Sequence, residues 1–237
     1  MYSLSVRKIY KWKVRGESKK RMTCLPERLL SGYRSFIKHH FSYETAHYQQ
    51  LALEGQKPEV FVIACCDSRA VPETIFDAKP GEIFTLRNVA NLVPPFSPDN
   101  QYHATSAALE YAVQLLEVKH IVVFGHAHCG GVSTALQGTY KSLSSKDFIG
   151  QWIDLLTPAA QDVVGNKSLS RQEQQIALEQ LSIRHSLRNL ETFPWIKARK
   201  EQGVLTLHGV WFDISSGELW SIEQETGDFV RVEVEKS

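Results

Sequence analysis

Two short apolar runs constrain the fold more than any other feature of this chain. Val60-Phe61-Val62-Ile63-Ala64-Cys65 follows Pro58, and Ile121-Val122-Val123-Phe124 stops at Gly125. Neither alternates with polar residues, so neither can turn one face to water. Such runs read as strands buried on both faces, as in a parallel sheet covered by helices. Each runs directly into a loop dense in reactive side chains, Cys65-Cys66-Asp67-Ser68-Arg69 after the first and His126-Ala127-His128-Cys129-Gly130-Gly131 after the second. Open α/β sheets collect their ligand sites at the carboxyl ends of such strands.

The surrounding sequence completes an alternating pattern. Leu29, Leu30, Tyr33, Phe36, Ile37 and Phe41 recur at helical spacing from Pro26 onward, long before the first strand, and this face is expected to lie on a partner subunit. Ile83–Leu86 reads as a second strand after the Lys79-Pro80-Gly81 turn. Residues 103–117 read as a helix, as do segments near 131–138, 147–160 and 171–191, the last broken by Pro194 with a further turn allowed. A fourth strand starts at Val204, and residues 218–224 suit a late antiparallel one. The expected fold is α/β, with a mainly parallel central sheet flanked by helices and an N-terminal helical arm. A single domain is expected over residues 22–237.

Charge divides the chain unevenly. Residues 1–21 hold eight Lys and Arg against one acid, a net +7, while the rest holds 19 bases against 25 acids, a net −6. A basic tail of this kind is open to several readings: a solvated accessory segment, an organelle transit segment, or residues upstream of a start at Met22. The acidic body gives no support to nucleic-acid binding. No apolar run approaches the length of a membrane span. Four cysteines in 237 residues make no disulfide framework, which suits a reducing cytoplasm, and organelle import through residues 1–21 is the lesser expectation. Cys24 is expected to be a free thiol.

Thiolates and imidazoles on neighbouring loops are the chemistry of a zinc site. Three protein ligands with one open position make a catalytic site, whereas four close a structural one. Cys65, His126 and Cys129 would supply three, and the glycines after Cys129 allow close backbone approach. His128, two residues from His126, is a rival ligand. Taken singly, a cysteine ending a strand is usually apolar filler, and Asp67–Arg69 would be a surface ion pair worth ~0–1 kcal/mol. It is their joint occurrence at two strand ends that points to a metal.

These segments resemble the β-class carbonic anhydrases. The resemblance runs from about Pro26 to Ile214 and includes Ala64–Arg69, Pro80-Gly81-Glu82, Arg87-Asn88-Val89-Ala90-Asn91, Gly125–Gly131 and Asn189-Leu190. It implies one zinc ion per subunit on Cys65, His126 and Cys129, with Asp67 and Arg69 as a catalytic dyad. It also implies reversible hydration of carbon dioxide to bicarbonate and a proton, by attack of zinc-bound hydroxide. Gln56, Phe84, Val89, Tyr111 and Gly130 match substrate-pocket positions. The glutamine, phenylalanine and tyrosine reach over from a neighbouring subunit in the family, so a homodimer or dimer of dimers is implied. His128 is a candidate proton shuttle.

The departures also carry expectations. Some members bind bicarbonate at an inhibitory site through a tryptophan, an arginine and a tyrosine. Here Val62 and Phe212 stand at the aromatic positions and only Arg87 remains, so no inhibitory site of that design is expected. Cys66 is expected to point away from the metal and serve packing. Two thiolates and a neutral imidazole leave the metal site formally neutral, so activity should rise with pH past 7. The alternatives are hydrolysis of carbonyl sulfide or carbon disulfide on the same scaffold, and a noncatalytic zinc-stabilised oligomer.

Overall fold

A computed structural model describes residues 25–99, 102–137 and 147–234. The basic segment 1–21, Met22 and Cys24 lie outside the described residues. The chain divides into two compact units, one up to Gln50 and one from Leu51 onward. In the first unit, helix α1 (Glu27–Phe36) passes through a π-turn at Ile37–Phe41 into α2 (Ser42–Glu54), the helix in which the division falls. The rings of Phe36, Phe41 and Tyr48 pack on one another at centroid distances of 5.2–6.1 Å. No residue of α1 is buried, and Leu29, Tyr33 and Ile37 stand exposed.

The second unit is built on a mixed sheet of six strands among the described residues, flanked by helices. They are β1 (Val60–Cys65), β2 (Ile83–Asn88), β3 (His120–His126), β4 (Thr206–Phe212), β5 (Leu219–Ile222) and β6 (Phe229–Arg231), in the order β2-β1-β3-β4-β5-β6. The first four strands pair in parallel; β5 and β6 are antiparallel additions at one edge. From β1 the chain moves to one side to form β2, then returns to the other side for β3. The strand order therefore reverses between β1 and β3, and the crevice at their carboxyl ends is where a ligand finds room.

The apolar run of β1 is explained by what covers each face. Phe61 and Ile63 join Leu109, Val113, Ile121, Val123, Ile183 and Trp211 in one core cluster. Val62 and Ala64 join Phe124, Val210 and Ala70 in another on the opposite face. Burying a side chain such as Phe61 or Ile63 contributes about 1.5–3 kcal/mol, so one register of β1 is strongly favoured. A third cluster lies around the ligand loops, with Cys65, Ala90, Leu92, Cys129, Val132, Leu156 and Leu178.

The helices around the sheet are α3 (Pro72–Ile75), α4 (Ala104–Glu110), α5 (Gly130–Gln137), α6 (Phe148–Ile153), α7 (Thr157–Gly165), α8 (Arg171–Leu190) and α9 (Pro194–Glu201). Several differ from the sequence reading. The 103–117 helix changes to a π-turn at Tyr111–Leu115. The single helix expected over 147–160 is broken, with a 3-10 turn at Asp154–Leu156 before Pro158 opens α7. Pro194 starts a full eight-residue helix. Strand β3 does not stop at Gly125 but continues to His126. Gly125 is there because α8 presses on the strand: a Cβ would stand 2.7 Å from Ile183 Cδ1. Strand β6 had no clear sequence signal.

Candidate metal centre

Cys65 ends β1, His126 ends β3, and Cys129 lies just before α5. All three are buried, and one ligand atom from each lies within 4.8 Å of the others. His126 Nδ1 stands 2.8 Å from the Ala127 carbonyl oxygen, which can only accept, so Nδ1 carries the proton. Its Nε2 is then a bare lone pair, buried and without a hydrogen-bond partner. That orphaned acceptor is costly unless something electropositive meets it.

The sulfurs of Cys65 and Cys129 are 3.9 Å apart. A tetrahedral ion with Zn–S of about 2.3 Å separates two sulfurs by about 3.8 Å. A hydrogen bond from Cys129 holds the Cys65 thiol well below its ordinary range against the cost of burial, with the neighbouring His126 ring and the backbone N–H groups of Asp67 and Ala90 acting in the same direction. Cys129 is pushed up in turn by the same shared proton and by burial. Two thiolates at this distance ionise together only with a cation between them. The donor set, its spacing and the bare Nε2 therefore fit zinc.

Backbone geometry brings the ligands together. Ala127 N–H donates to the Phe212 carbonyl at 2.8 Å, tying the second loop to the end of β4. Cys66 N–H donates to the Asn88 carbonyl at 2.8 Å, carrying β2 pairing past the end of β1. Ala90 and Asn91 both have left-handed backbones, φ 63° and 48°, which cost free energy in non-glycine residues. Asn88 closes this turn by accepting from Leu92 N–H and donating to the Leu92 carbonyl. Gly131 gives the turn room, since a Cβ there would stand 2.8 Å from Val89 Cγ1.

Asp67 and Arg69 stand beside the ligands. Arg69 grips the carboxylate with Nε at 2.9 Å and Nη2 at 2.7 Å, and its backbone N–H adds a third bond at 3.0 Å. This fork and the backbone donor hold the Asp67 carboxyl well below the usual carboxylate range. Its Oδ2 lies 4.0 Å from His126 Nε2. Arg69 Nη2 also donates to the His128 carbonyl at 3.1 Å, linking the two loops. His128 itself is exposed and left-handed at φ 55°. It takes no part in the buried group that could hold a metal, to which His126 contributes instead. Cys66 is exposed, so the packing role expected for it is not realised in this chain.

The pocket candidates divide into two sets. Val89 packs on the cluster around the ligand loops, and Gly130 opens α5 directly after Cys129. Phe84 and Tyr111 pair with each other at 5.8 Å, and Phe84 packs on the Phe61 cluster instead. Tyr111 is 44% exposed and Gln56 stands exposed between α2 and β1. At the positions compared with the inhibitory site, Val62 is buried and Phe212 packs with it in one cluster. Arg87 is bonded to backbone carbonyls.

Sequence reasoning missed Glu179. It is 1% exposed on α8. One oxygen accepts from Cys129 N–H at 3.0 Å and Gln175 Nε2 at 2.7 Å; the other accepts from Trp211 Nε1 at 3.1 Å. Burial raises its pKa against these donors. The only sequence signal was a glutamate on the inward stripe of a helix, between Leu178 and Ser182.

Comparison with known proteins agrees with this arrangement. A family model described as carbonic anhydrase matches residues 60–219. "Beta carbonic anhydrase 5, chloroplastic" of Arabidopsis thaliana is 37% identical over 196 residues, covering 81% of this chain. The chain spans 63% of that relative's length. The solved structure of the β-carbonic anhydrase CcaA superposes with a TM-score of 0.79 at 31% identity, covering 87% of this chain and 98% of that one. A structure from work on two tetrameric β-carbonic anhydrases of Sordaria macrospora gives 0.69 at 30%, covering 86% and 98%. With its thiolate–imidazole cluster and carboxylate–guanidinium pair at the ends of β1 and β3, this chain belongs to the β-carbonic anhydrase family.

Proposed function

We propose that the protein catalyses reversible hydration of carbon dioxide to bicarbonate and a proton, using one zinc ion per subunit held by Cys65, His126 and Cys129. The observation that carries this reading is the forked Asp67–Arg69 pair, 4.0 Å from the bare His126 Nε2. A purely structural metal would need no such neighbour. When bound, zinc supplies a Lewis acid that makes water nucleophilic near neutral pH.

The chain's residues then do the positioning. Asp67, held ionised, is an acceptor only; it takes a hydrogen bond from the attacking water or hydroxide and orients its lone pair toward the substrate carbon. Arg69 occupies both carboxylate oxygens and so keeps Asp67 from becoming a fourth ligand. Gly130 and Val89 line the substrate side beside the ligand loops. Gln56, Phe84 and Tyr111 serve the pocket of a neighbouring subunit, in a homodimer or dimer of dimers onto which the N-terminal arm packs. Exposed His128 passes the released proton to buffer. Among the described residues no helix is long and apolar enough to cross a membrane. The proposed compartment is the cytoplasm, with organelle import through residues 1–21 as the lesser alternative.

Stopped-flow hydration measured against pH on metal-quantified protein tests the reading, with turnover expected to rise past pH 7. Parallel assays with carbonyl sulfide and carbon disulfide should show lower kcat/KM. Zinc-replete protein that hydrates no carbon dioxide and hydrolyses neither carbonyl sulfide nor carbon disulfide would leave only the structural-metal alternative.

A further inference from the structure

Arg87 lies on β2 opposite Ala64 of β1, one residue short of the first zinc ligand. Its Nε donates to the Cys65 carbonyl at 2.8 Å, and its Nη2 donates to the carbonyls of Asp67 at 2.5 Å and Ala70 at 3.0 Å. One guanidinium thus gathers three carbonyls from the six-residue turn that carries a ligand and the dyad. Three of its five N–H donors are committed, which also leaves it ill placed to fork an anion. Strand pairing of β1 ends at Ala64 on the β3 side and at Cys65 on the β2 side, where Cys66 N–H adds one further bond, so the paired strands extend no further into the turn.

We infer that Arg87 is a positioning residue, which fixes the Cys65–Ala70 turn so that Cys65 Sγ and the Asp67 carboxylate keep their places at the metal. A rigid planar fork can span three divergent carbonyls. A lysine ammonium is a flexible point donor and cannot hold the same set. This inference rests on the proposed function for its catalytic half and is independent of it for its metal half.

The test uses Arg87→Lys in the full chain, with Arg87→Gln as a second variant should the first not fold. Zinc affinity is measured by chelator competition, and kcat/KM is measured at saturating zinc. Loss of a supporting residue of this kind typically costs 10–100-fold in metal affinity, and roughly that weakening of zinc binding is expected. In kcat/KM, Arg87→Lys should cost about 10-fold or more in the wild-type background but less than about threefold in Asp67→Asn, because both act through one carboxylate. Unchanged zinc affinity overturns the metal half, even if the melting temperature falls. Equal losses in both backgrounds overturn the catalytic half. If the wild type binds zinc but hydrates no carbon dioxide, the functional reading fails while the zinc arm still decides the brace.

Discussion

Asp67 illustrates what separates an ordinary surface ion pair from the pair proposed to act here. On a plain surface the pair with Arg69 would contribute little. Here three donors converge on one carboxylate, and it stands 4.0 Å from an unpartnered imidazole nitrogen. Asp67→Asn keeps the size of the side chain but replaces an acceptor oxygen by a donor. It should retain zinc in full by metal analysis and lose about 100-fold or more in kcat, the scale of a positioned proton acceptor. Wild-type rates in that variant would remove the dyad from the mechanism. Glu179 works from behind the other ligand loop, accepting from the Cys129 N–H. Glu179→Gln turns one of two accepting oxygens into a donor that must face N–H groups, so zinc affinity should fall about 10–100-fold. Unchanged affinity by chelator competition would reduce Glu179 to a core polar residue. The thiol–imidazole cluster and the Asp67–Arg69 pair were legible in the sequence because thiols, imidazoles and a D-x-R spacing are rare together and lie at strand ends. Glu179 was not, because a glutamate in a polar helix has no mark until Cys129 and Trp211 are seen to donate to it.

At the scale of elements, the strands were easier to read than their ends. The apolar run of β1 fixed its bounds because both faces are covered by core. Strand β3 outruns its expected end because a glycine after an apolar run reads as a stop, whereas the packing of α8 requires it within the strand. Gly209 of β4 shows the same pressure: a Cβ there would stand 2.6 Å from Ile222 Cδ1 and 2.8 Å from Ile183 Cγ2. Both contacts are with buried or partly buried side chains that have little space to retreat. Gly209→Ala should therefore lower stability by about 1–3 kcal/mol. For a chain of this size that is a fall in melting temperature of about 2–4 °C per kcal/mol. Zinc stoichiometry should stay at one per chain, since Gly209 touches no ligand. An unchanged melting temperature would mean that Ile183 and Ile222 repack freely. The breaks at Tyr111 and Asp154 escaped sequence reading because a π-turn or 3-10 turn keeps nearly the same apolar spacing as the α-helix it interrupts.

At the scale of the molecule, the acidic body from residue 22 carries every residue assigned to the site, and the basic segment 1–21 carries none. A chain starting at Met22 should keep wild-type zinc content and turnover, and loss of either would make the tail part of the fold. The proposed function takes part of each pocket from a second chain. Phe84 and Tyr111 form their own ring pair and Phe84 packs on the Phe61 cluster, while Gln56 stands exposed. The ligands belong to a different cluster. If each site takes Gln56 from its neighbour, two crippled variants can repair each other. Asp67→Asn damages the site of its own chain, and Gln56→Ala damages the site next door. Each homodimer then has two impaired sites. In a mixed dimer, one site combines an intact Asp67 with an intact Gln56, and the other suffers both changes. Random reassortment of equal amounts makes half the dimers mixed, so about a quarter of all sites should regain wild-type turnover. Unfolding and refolding the variants together, then titrating the ratio, should give a maximum at equal amounts. Activity equal to the plain average of the two variants at every ratio would show that each pocket is completed within its own chain.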